Sequence, residues 1–488
     1  MRNRDRPRPR AQLSGQRAAG CAQGFSEYLR RLPMIFSLDV RRALKGDCLL
    51  LHFGTEQEPG LIMIDGGPKS VYAPHLKPRL IEIRNARKIK KNDPLPIDVL
   101  MVSHVDDDHI QGILDFTKEE IANVETHKPR LLNVFSLWHN SFDDIIGGQP
   151  AELTARVNAT FKTEASTGAV ELSDEKVGNV EDIFIDQNPG GNDAADAELV
   201  GSSLKVLASI AQGFRLRKDA QRLGYGRNAE FGGKLIVAPQ GKAPIRIANS
   251  LDVTVIGPML EEIQALHKDH QKWLDDLKKQ GKTAEEALAA YVDKSVPNLS
   301  SIVVLVEADK KRMLLTGDAR GDKILKGLQL AGKLDQDNGT KIEVDLLKVP
   351  HHGSSNNLDK DFFKRIIAKH YVFSGDGQHG NPERESIEML LKARKDGNYQ
   401  IHLTYPLKEI DRLREDDWNK ERNKQIARKK KSGKGTVREE WSAQDHSLLA
   451  LFDADPQFKE KLRIVDEKKP HIIDLGDPLA ASWPELAN

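Results

Sequence analysis

The chain has 488 residues, which is enough for one large decorated domain or two smaller ones with a sizeable buried core. Its 74 Lys and Arg residues nearly balance 73 Asp and Glu residues, and the net charge of +1 excludes a global electrostatic attraction to nucleic acid or membrane. The two cysteines, Cys21 and Cys48, imply no disulfide framework, and no apolar run approaches the roughly 20 residues of a membrane helix, so we expect a cytoplasmic protein without membrane association.

The first 33 residues are rich in Arg and Pro and show no periodicity that could bury a face, which predicts disorder. Met34 then opens an apolar run. Residues 1–33 are therefore interpreted either as sequence upstream of the true initiator or as a basic arm that touches nucleic acid, and we favour the former. We expect residues 34–488 to form the folded domain.

From residue 34 to about 140, apolar runs alternate with turns and one helix. Strands are predicted at residues 35–40, 47–53, 61–67, 97–102 and 131–137, and a helix at residues 78–91. The run at residues 97–102 is largely apolar, as in strands that are buried on both faces of layered α/β proteins.

Directly after that strand, six consecutive positions from His104 to His109 hold two histidines and three aspartates. Carboxylates on one tight turn repel one another, and this repulsion is costly unless a cation neutralises it. The alternative is a solvated acidic turn, since Asp commonly hydrogen-bonds its own backbone in turns. We favour a metal site because matching ligand types recur at strand ends downstream.

Residues 141–230 are polar, lose the strand rhythm and are interpreted as an insertion, with a loop at 188–192 and a helix at 195–222. A strand at residues 251–256 resumes the core, and a helical insertion rich in Lys and Glu follows at about 261–293. Near the C-terminus, residues at about 420–438 predict a basic loop that contacts phosphates without base preference, although solvated charge is the commoner explanation.

The second half repeats the strand pattern, with apolar runs at residues 301–306, 313–318, 344–349 and 371–374. Asp318 ends one of these runs, and His351 and His352 follow another. Two β-rich halves covered by helices favour an α/β fold, namely a four-layer αββα sandwich with insertions. We expect these ligand types to meet at an edge where strand ends converge.

Together these motifs resemble the metallo-β-lactamase superfamily, and in detail its ComEC-like branch, named for the nuclease domain of a DNA-uptake protein. The resemblance covers most of residues 34–380 through ordered motifs. They are Gly46-Asp47, Ile64 to Gly67, Ser103 to Gly112, Asn298 to Ser301, Leu314 to Asp318 and Val349 to Ser354. The resemblance implies the αββα metallo-β-lactamase fold and a hydrolase that holds two divalent metal ions.

The same resemblance implies two ligand sets joined by a bridging carboxylate. They are His104 and Asp106 for the first metal, Asp108, His109 and either His351 or His352 for the second, and Asp318 as the bridge. Asp108 is also the candidate base, so Asp108 and Asp318 are the candidate catalytic residues. Asp106 stands where the superfamily's His-x-His-x-Asp-His turn usually has its second histidine. A carboxylate there favours Mn²⁺ or Mg²⁺ more than an all-histidine site would, and Zn²⁺ remains compatible.

Further residues have both a functional and a structural interpretation. His139 is a candidate for a further metal ligand or for a packed histidine beside Trp138. Asp65 and Asp47 are candidates for orienting the metal ligands, and Asp65 is alternatively a turn former. Asn298 and Ser300 are candidates for substrate contacts or for a turn. Ser354 is a candidate for a substrate contact or for a helix cap, and His379 for a substrate contact or for an ordinary loop histidine.

These features favour a phosphodiesterase or nuclease that uses a water activated by two metals, since negative charge develops on oxygens that already face cations. The alternatives are hydrolysis of a small ester, lactone or thioester, and a catalytic or accessory role in a multi-protein defence or DNA-processing system. Nucleic acid is the expected substrate, and a protein partner is compatible with the sequence.

Overall fold

Apolar runs build two β-sheets that pack face to face, and most of their central strands are buried on both sides. The computed structural model describes residues 33–140, 212–238, 243–261, 263, 301–335, 339–358, 360–395, 397–433 and 435–487. Across these ranges, no helix combines the length and apolarity that a membrane span requires. Everything that follows concerns these residues.

The first sheet has seven strands in the order β15-β1-β2-β3-β4-β5-β6. Their bounds are β1 Ile35–Val40, β2 Leu49–Gly54, β3 Pro59–Ile64, β4 Leu95–Met101, β5 Leu132–Trp138, β6 Gly226–Arg227 and β15 Ile472–Asp474. Strands β3 to β6 run parallel to one another, whereas β15, β1, β2 and β3 pair antiparallel. The carboxyl ends of β3 and β4 therefore lie at the same edge of this sheet.

The second sheet has eight strands in the order β14-β13-β12-β11-β10-β9-β8-β7. Their bounds are β7 Ile245–Ile247, β8 Leu251–Gly257, β9 Val303–Ala308, β10 Lys311–Leu315, β11 Ile342–Lys348, β12 Ile366–Phe373, β13 Gln400–Leu403 and β14 Leu462–Ile464. Strands β10 to β14 run parallel to one another. The carboxyl ends of β10, β11 and β12 therefore share one edge as well.

Helices cover the outer face of each sheet. They are α1 Lys77–Ala86, α2 Asp107–Glu125, α3 at residues 212–223, α4 Gly321–Leu330, α5 Phe362–Arg365, α6 Arg384–Ala393, α7 Leu407–Ser432, α8 Ala443–His446, α9 Leu448–Asp453, α10 Pro456–Glu460 and α11 Leu479–Ser482. Short 3₁₀ turns at Pro350–Gly353 and Gln378–Gly380 follow β11 and β12. Each of these two turns contributes to the site described below.

Three apolar clusters account for the layering. One lies between the two sheets and contains Phe36 and Leu51 from the first sheet with Val304 and Leu346 from the second. The other two lie between each sheet and its helices. The αββα sandwich predicted from the sequence is therefore confirmed.

Two predictions outside the core strands concern described residues. The helix predicted at 195–222 agrees with α3 over residues 212–222, and Leu216, Ala220 and Leu223 of α3 lie in the first sheet's core, because their spacing puts three apolar side chains on one helix face. The predicted basic loop at 420–438 is wrong as far as Ser432. Those residues continue α7, which ends at Gly433 with φ of 70°.

Other predictions fall outside the described residues. These are the disorder of residues 1–32, the remainder of the insertion at 141–211, most of the helical insertion at 261–293, and the substrate contacts of Asn298 and Ser300.

Candidate metal centre

The site lies where the carboxyl ends of β3 and β4 meet those of β10, β11 and β12. Each of these strands ends in a short turn that bears acidic, imidazole or hydroxyl side chains. Backbone hydrogen bonds join the two sheets here, with the Ile302 N–H donating to the Ser103 carbonyl at 2.8 Å. Polar side chains that are distant in sequence are thereby brought onto one edge.

The turn after β4 leads directly into α2. Asp106 is the residue before the helix, and the N–H groups of His109 and Ile110 donate to its carbonyl. Asp107 and Asp108 occupy the first turn, where the helix dipole favours negative charge. The Asp107 carboxylate accepts hydrogen bonds from Gln111 and Gln212. Asp107 therefore ties α2 to α3, while its neighbours face the site.

The turns after β10 and β11 are locked together. Gly317 has φ of 48°, and a Cβ placed there would lie 2.9 Å from the Cβ of Ser103. The Gly317 carbonyl accepts the N–H of His351 at 3.1 Å. His351 and His352 both have left-handed φ values, 49° and 53°, which non-glycine residues rarely adopt. This strained backbone aims two consecutive imidazoles towards Asp318.

The two carboxylate oxygens of Asp318 face different histidines. Oδ1 lies 3.3 Å from Nε2 of His109 and 3.4 Å from Nε2 of His352. Oδ2 lies 3.7 Å from Nε2 of His104 and 3.6 Å from Nε2 of His351. Asp318 is thus placed between two pairs of imidazoles, with one oxygen turned to each pair.

A further carboxylate accompanies each pair. Asp106 Oδ2 lies 3.7 Å from Nε2 of His104, and Asp108 Oδ2 lies 3.5 Å from Nε2 of His352. Asp108 Oδ1 lies 3.9 Å from Nε2 of His109. Each oxygen of Asp318 therefore faces two imidazoles that have a carboxylate beside them, and His109 belongs to both of the compact donor groups.

The donor set fits divalent cations. Asp47, His109, Asp318 and His352 each bring one ligand atom within 4.8 Å of the others, and His104, Asp108 and His109 do the same. His104 Nε2 and Asp318 Oδ1 are buried, and neither has a hydrogen-bond partner in the described part of the chain. A buried polar atom left without a partner costs about 1–3 kcal/mol. Cations held between these atoms would remove that cost.

Burial and neighbouring charges set the protonation of this cluster. Burial lowers the pKa of His104 to about 3, which keeps a lone pair available for a cation. Burial disfavours a charged His352, yet the Asp318 carboxylate raises the pKa of His352 to about 9. Burial and the nearby Asp108 raise the pKa of Asp106 to about 8. Protons and metal cations therefore compete for this site.

A buried network behind the cluster holds His109 in place. Asp65 accepts hydrogen bonds on Oδ1 from the Ser103 N–H and on Oδ2 from the Ser103 hydroxyl, both at 2.7 Å. Asp65 Oδ2 also lies 2.9 Å from Nδ1 of His109. A carboxylate on Nδ1 fixes the ring orientation and leaves Nε2 facing Asp318.

Two groups hold the opposite side of the cluster. The Ser374 hydroxyl, directly after β12, lies 2.9 Å from Nδ1 of His352. Lys348 is 1% exposed and pairs with Asp47 Oδ2 at 2.7 Å. The other oxygen of Asp47 lies 3.7 Å from Nδ1 of His352. Asp47 is therefore both a neighbour of the ligands and the counter-ion of a buried lysine.

His139, Ser354 and His379 are predicted site residues that lie away from Asp318 and the side chains around it. His139 is buried at the end of β5, where its N–H donates to Asn228 Oδ1 at 2.9 Å. Ser354 Oγ lies 3.5 Å from Glu383 Oε1. His379 is exposed in the turn after β12, with Nε2 3.0 Å from Nζ of Lys45. Lys45 directly precedes Gly46 and Asp47, so this pair lies at the rim of the site.

Sequence reasoning missed Lys348, Ser374 and Lys45. Lys348 carried a readable signal, because a charged residue between Leu346-Leu347 and Val349 implies a buried partner. Ser374 and Lys45 carried none, since a serine after a strand and a lysine before a glycine are common. Their position depends on how the turns pack against one another.

Comparison with known proteins points to the same chemistry. Residues 44–179 match the family model described as Metallo-beta-lactamase superfamily, a stretch that contains Asp47 and the whole of the His104 to His109 turn. This match and the ligand cluster indicate a metal-dependent hydrolase.

Individual relatives share only a short segment. Microtubule-associated protein 1A of Rattus norvegicus is 36% identical over 68 residues, which cover 14% of this chain and 2% of that protein. Microtubule-associated protein futsch of Drosophila melanogaster is 44% identical over 54 residues, which cover 11% of this chain and 1% of that protein. The matched segments thus span about one fiftieth or less of these curated relatives.

Proposed function

We propose that this protein is a phosphodiesterase of the ComEC-like branch that cleaves nucleic acid with two divalent cations. The observation that carries the proposal is the placement of Asp318, whose two oxygens face two different pairs of imidazoles. A carboxylate shared in this way suits paired cations, which clamp the attacking and leaving oxygens of an in-line displacement.

Two features support a phosphodiester rather than a neutral ester. Asp106 supplies a carboxylate where the superfamily usually has a histidine, which favours Mn²⁺ or Mg²⁺, the usual partners of phosphate oxygens. The rim bears Lys45 and His379, whose side chains lie together next to the loop of Asp47. These donors can hold non-bridging phosphoryl oxygens, whereas a lactone would need an apolar wall.

The residues of the site have different roles in catalysis. Cations bound here would lower the pKa of the attacking water and offset charge on the phosphoryl group. Asp108, with a side chain that is 21% exposed, reaches the cluster and faces solvent, so its carboxylate can accept a proton from that water. Asp65 and Ser374 fix the rings of His109 and His352. Lys45 and His379 orient the substrate.

Turnover by purified protein loaded with Mn²⁺ or Zn²⁺ tests the proposal. The substrates are linear DNA, RNA, a bis-aryl phosphodiester and a lactone, each offered to the wild type, Asp108→Ala and Asp318→Ala. Asp322→Ala is the matched control, because Asp322 is an exposed aspartate only four residues from Asp318. We expect phosphodiester cleavage in the wild type and in the control.

Removing a residue that only orients a metal ligand reduces activity by ~10–100-fold. Asp108→Ala and Asp318→Ala should each reduce activity by more than that. Cleavage that survives Asp108→Ala and Asp318→Ala would show that the chemistry occurs elsewhere. Lactone turnover without phosphodiester cleavage would replace the proposal with the small-ester alternative.

A further inference from the structure

A helical arm, formed by residues Asp411–Ser447, leaves the sandwich close to the metal centre and returns to it. Its outgoing limb is the greater part of α7, and its returning limb runs back alongside. Hydrogen bonds connect the two limbs in antiparallel order. The Arg438 N–H donates to Oε1 of Gln425, and the indole N–H of Trp418 donates to the Glu439 carbonyl. The arm is thus a hairpin that projects from the body.

The base of the arm is fixed rigidly. Both oxygens of Asp411 accept backbone N–H groups from the start of α9, those of Leu448 at 2.7 Å and Leu449 at 2.8 Å. The guanidinium of Arg414 donates to the Gly380 carbonyl at 3.1 Å and to the His446 carbonyl at 2.7 Å. Both limbs are therefore held where they join the sandwich.

That base is directly beside the proposed active site. Gly377 packs so closely on the backbone of Ile410 that a Cβ would lie 2.2 Å from the Ile410 carbonyl oxygen. The turn between Gly377 and Gly380 carries His379 at the rim, and it begins three residues after Ser374, which holds His352. A chain bound along the arm would therefore lead to the metal ligands.

Positive charge is concentrated in the outer part of the arm. Residues 418–433 and 435–438 contain eight Lys or Arg residues and a single Glu, a net charge of +7 in a chain whose total is +1. Lys and Arg side chains in the last turn of a helix are expected, because their positive charge offsets the helix dipole. Lys420 and Lys424 lie at least two turns before the helix end, so the dipole does not explain them, whereas Arg422 donates to the Arg438 carbonyl and pairs with Glu440 across the two limbs.

The outer arm is exposed and almost without apolar surface. Lys420, Lys429 and Lys430 are exposed, and the one large apolar residue that is exposed there is Ile426, at 40%. The rings of Trp418 and Trp441 meet edge to face, and both contact the His446 ring, which holds the two limbs together. A helix that binds a membrane surface needs a broad apolar face, and this arm has none in its described residues.

We propose that residues 418–433 and 435–438 bind the sugar–phosphate backbone of a nucleic acid strand and guide it to the metal centre. This inference rests on the proposed function, because a phosphodiester polymer is what links a basic arm to a phosphodiesterase site. At 1.5 Å per residue, Lys420 lies about 9 Å and Lys430 about 24 Å along the helix from Arg414. At a rise of about 3.4 Å per nucleotide, the stretch from Arg414 to Lys430 spans about seven nucleotides.

Binding of labelled DNA by the full-length protein tests the inference. The test variant is Lys429→Glu/Lys430→Glu, and the matched control is Lys90→Glu/Lys91→Glu. Lys90 and Lys91 are equally exposed but precede β4, at the edge of the sheet opposite to the metal centre. Fluorescence anisotropy with single strands of 20 and 4 nucleotides, in EDTA to prevent cleavage, gives the affinity at each salt concentration.

We expect the test variant to bind the 20-nucleotide strand at least tenfold more weakly than the wild type and the control. Loss of two phosphate contacts should also reduce the slope of log affinity against log salt by about 1.4. Turnover of the bis-aryl phosphodiester should be the same in all three proteins. Equal binding of the 20-nucleotide strand by test and control variants would overturn the inference, as would binding of phosphatidylserine vesicles in place of the strand.

The two proposals fail in different ways. If the wild type binds the 20-nucleotide strand through the arm but cleaves no phosphodiester, the proposed function is wrong and the arm remains a nucleic acid surface. If the wild type cleaves the bis-aryl phosphodiester and the test variant binds the 20-nucleotide strand normally, the proposed role of the arm alone is wrong.

Discussion

Gly46 lies directly against the backbone of the first ligand turn, and replacing it with alanine should displace Asp108. A Cβ at Gly46 would lie 1.8 Å from the Asp108 carbonyl oxygen and 2.9 Å from Cδ of Pro68. Ordinary contact begins at 3.4 Å, so the turn must move by about 1.6 Å. Backbone cannot rotate away as a flexible side chain can, and the Asp47 N–H also donates to that carbonyl.

The size of the effect follows from this displacement. A shift of about 1 Å in a positioned group costs about 100-fold in rate, which corresponds to about 2.7 kcal/mol of activation free energy. We therefore expect Gly46→Ala to turn over a bis-aryl phosphodiester at least about 100-fold more slowly. Its metal content, measured by inductively coupled plasma mass spectrometry, should fall at the same time.

Gly257→Ala is the matched control for this experiment, because a Cβ there would meet other atoms only at 3.4–3.8 Å. Circular dichroism and a thermal melt establish that both variants are folded. A folded Gly46→Ala protein with the activity and metal content of the wild type would refute the placement of Asp108 in the site.

Three further predictions concern buried charge and metal choice. Lys348→Met should destabilise the fold by about 3–5 kcal/mol, because it leaves Asp47 buried without its counter-ion. Urea unfolding should show that the double variant Asp47→Asn/Lys348→Met regains part of the lost stability. Additive losses of stability from the two substitutions would argue against the pairing. Asp106→His should keep metal binding but shift the preference from Mn²⁺ towards Zn²⁺ in competition assays, and an unchanged preference would remove Asp106 from the ligands. Arg79 pairs with the fully buried Asp39 at 2.6 Å and, against the effect of burial, holds the pKa of Asp39 below its usual value. In the wild type, the stability that this ion pair contributes is therefore lost only as the pH falls through that lowered pKa. In Arg79→Met the pKa of Asp39 should rise, so urea unfolding should show a stability deficit that shrinks between pH 8 and pH 5; a deficit independent of pH would contradict this.

The sequence pattern predicted the strands that carry the ligands because each contains an apolar run that leads into polar residues. This holds for β4 before His104, β10 before Asp318 and β11 before His351. It also predicted that these ends converge, since parallel neighbours present their carboxyl ends to one edge. What it left open was the assignment of His351 and His352, because that depends on two left-handed residues in succession.

Features set by packing between distant segments were not readable in advance. The pairing of Lys348 with Asp47 joins residues 301 positions apart, and the contact of Lys45 with His379 joins residues 334 positions apart. The basic run near the C-terminus was interpreted as a loop because Gly433 and Gly435 interrupt it. Lys, Arg, Gln and Ala nevertheless favour a helix, and the returning limb holds that helix in place.

The number of cations bound per chain tests the shared carboxylate most directly. Protein loaded with Mn²⁺ and desalted is analysed by inductively coupled plasma mass spectrometry, and the same sample is assayed for phosphodiester cleavage. We predict two cations per chain with cleavage in the wild type and in Asp322→Asn, and at most one cation without cleavage in Asp318→Asn. A wild type that holds one cation or none, or an Asp318→Asn variant that holds two and still cleaves, would contradict the account.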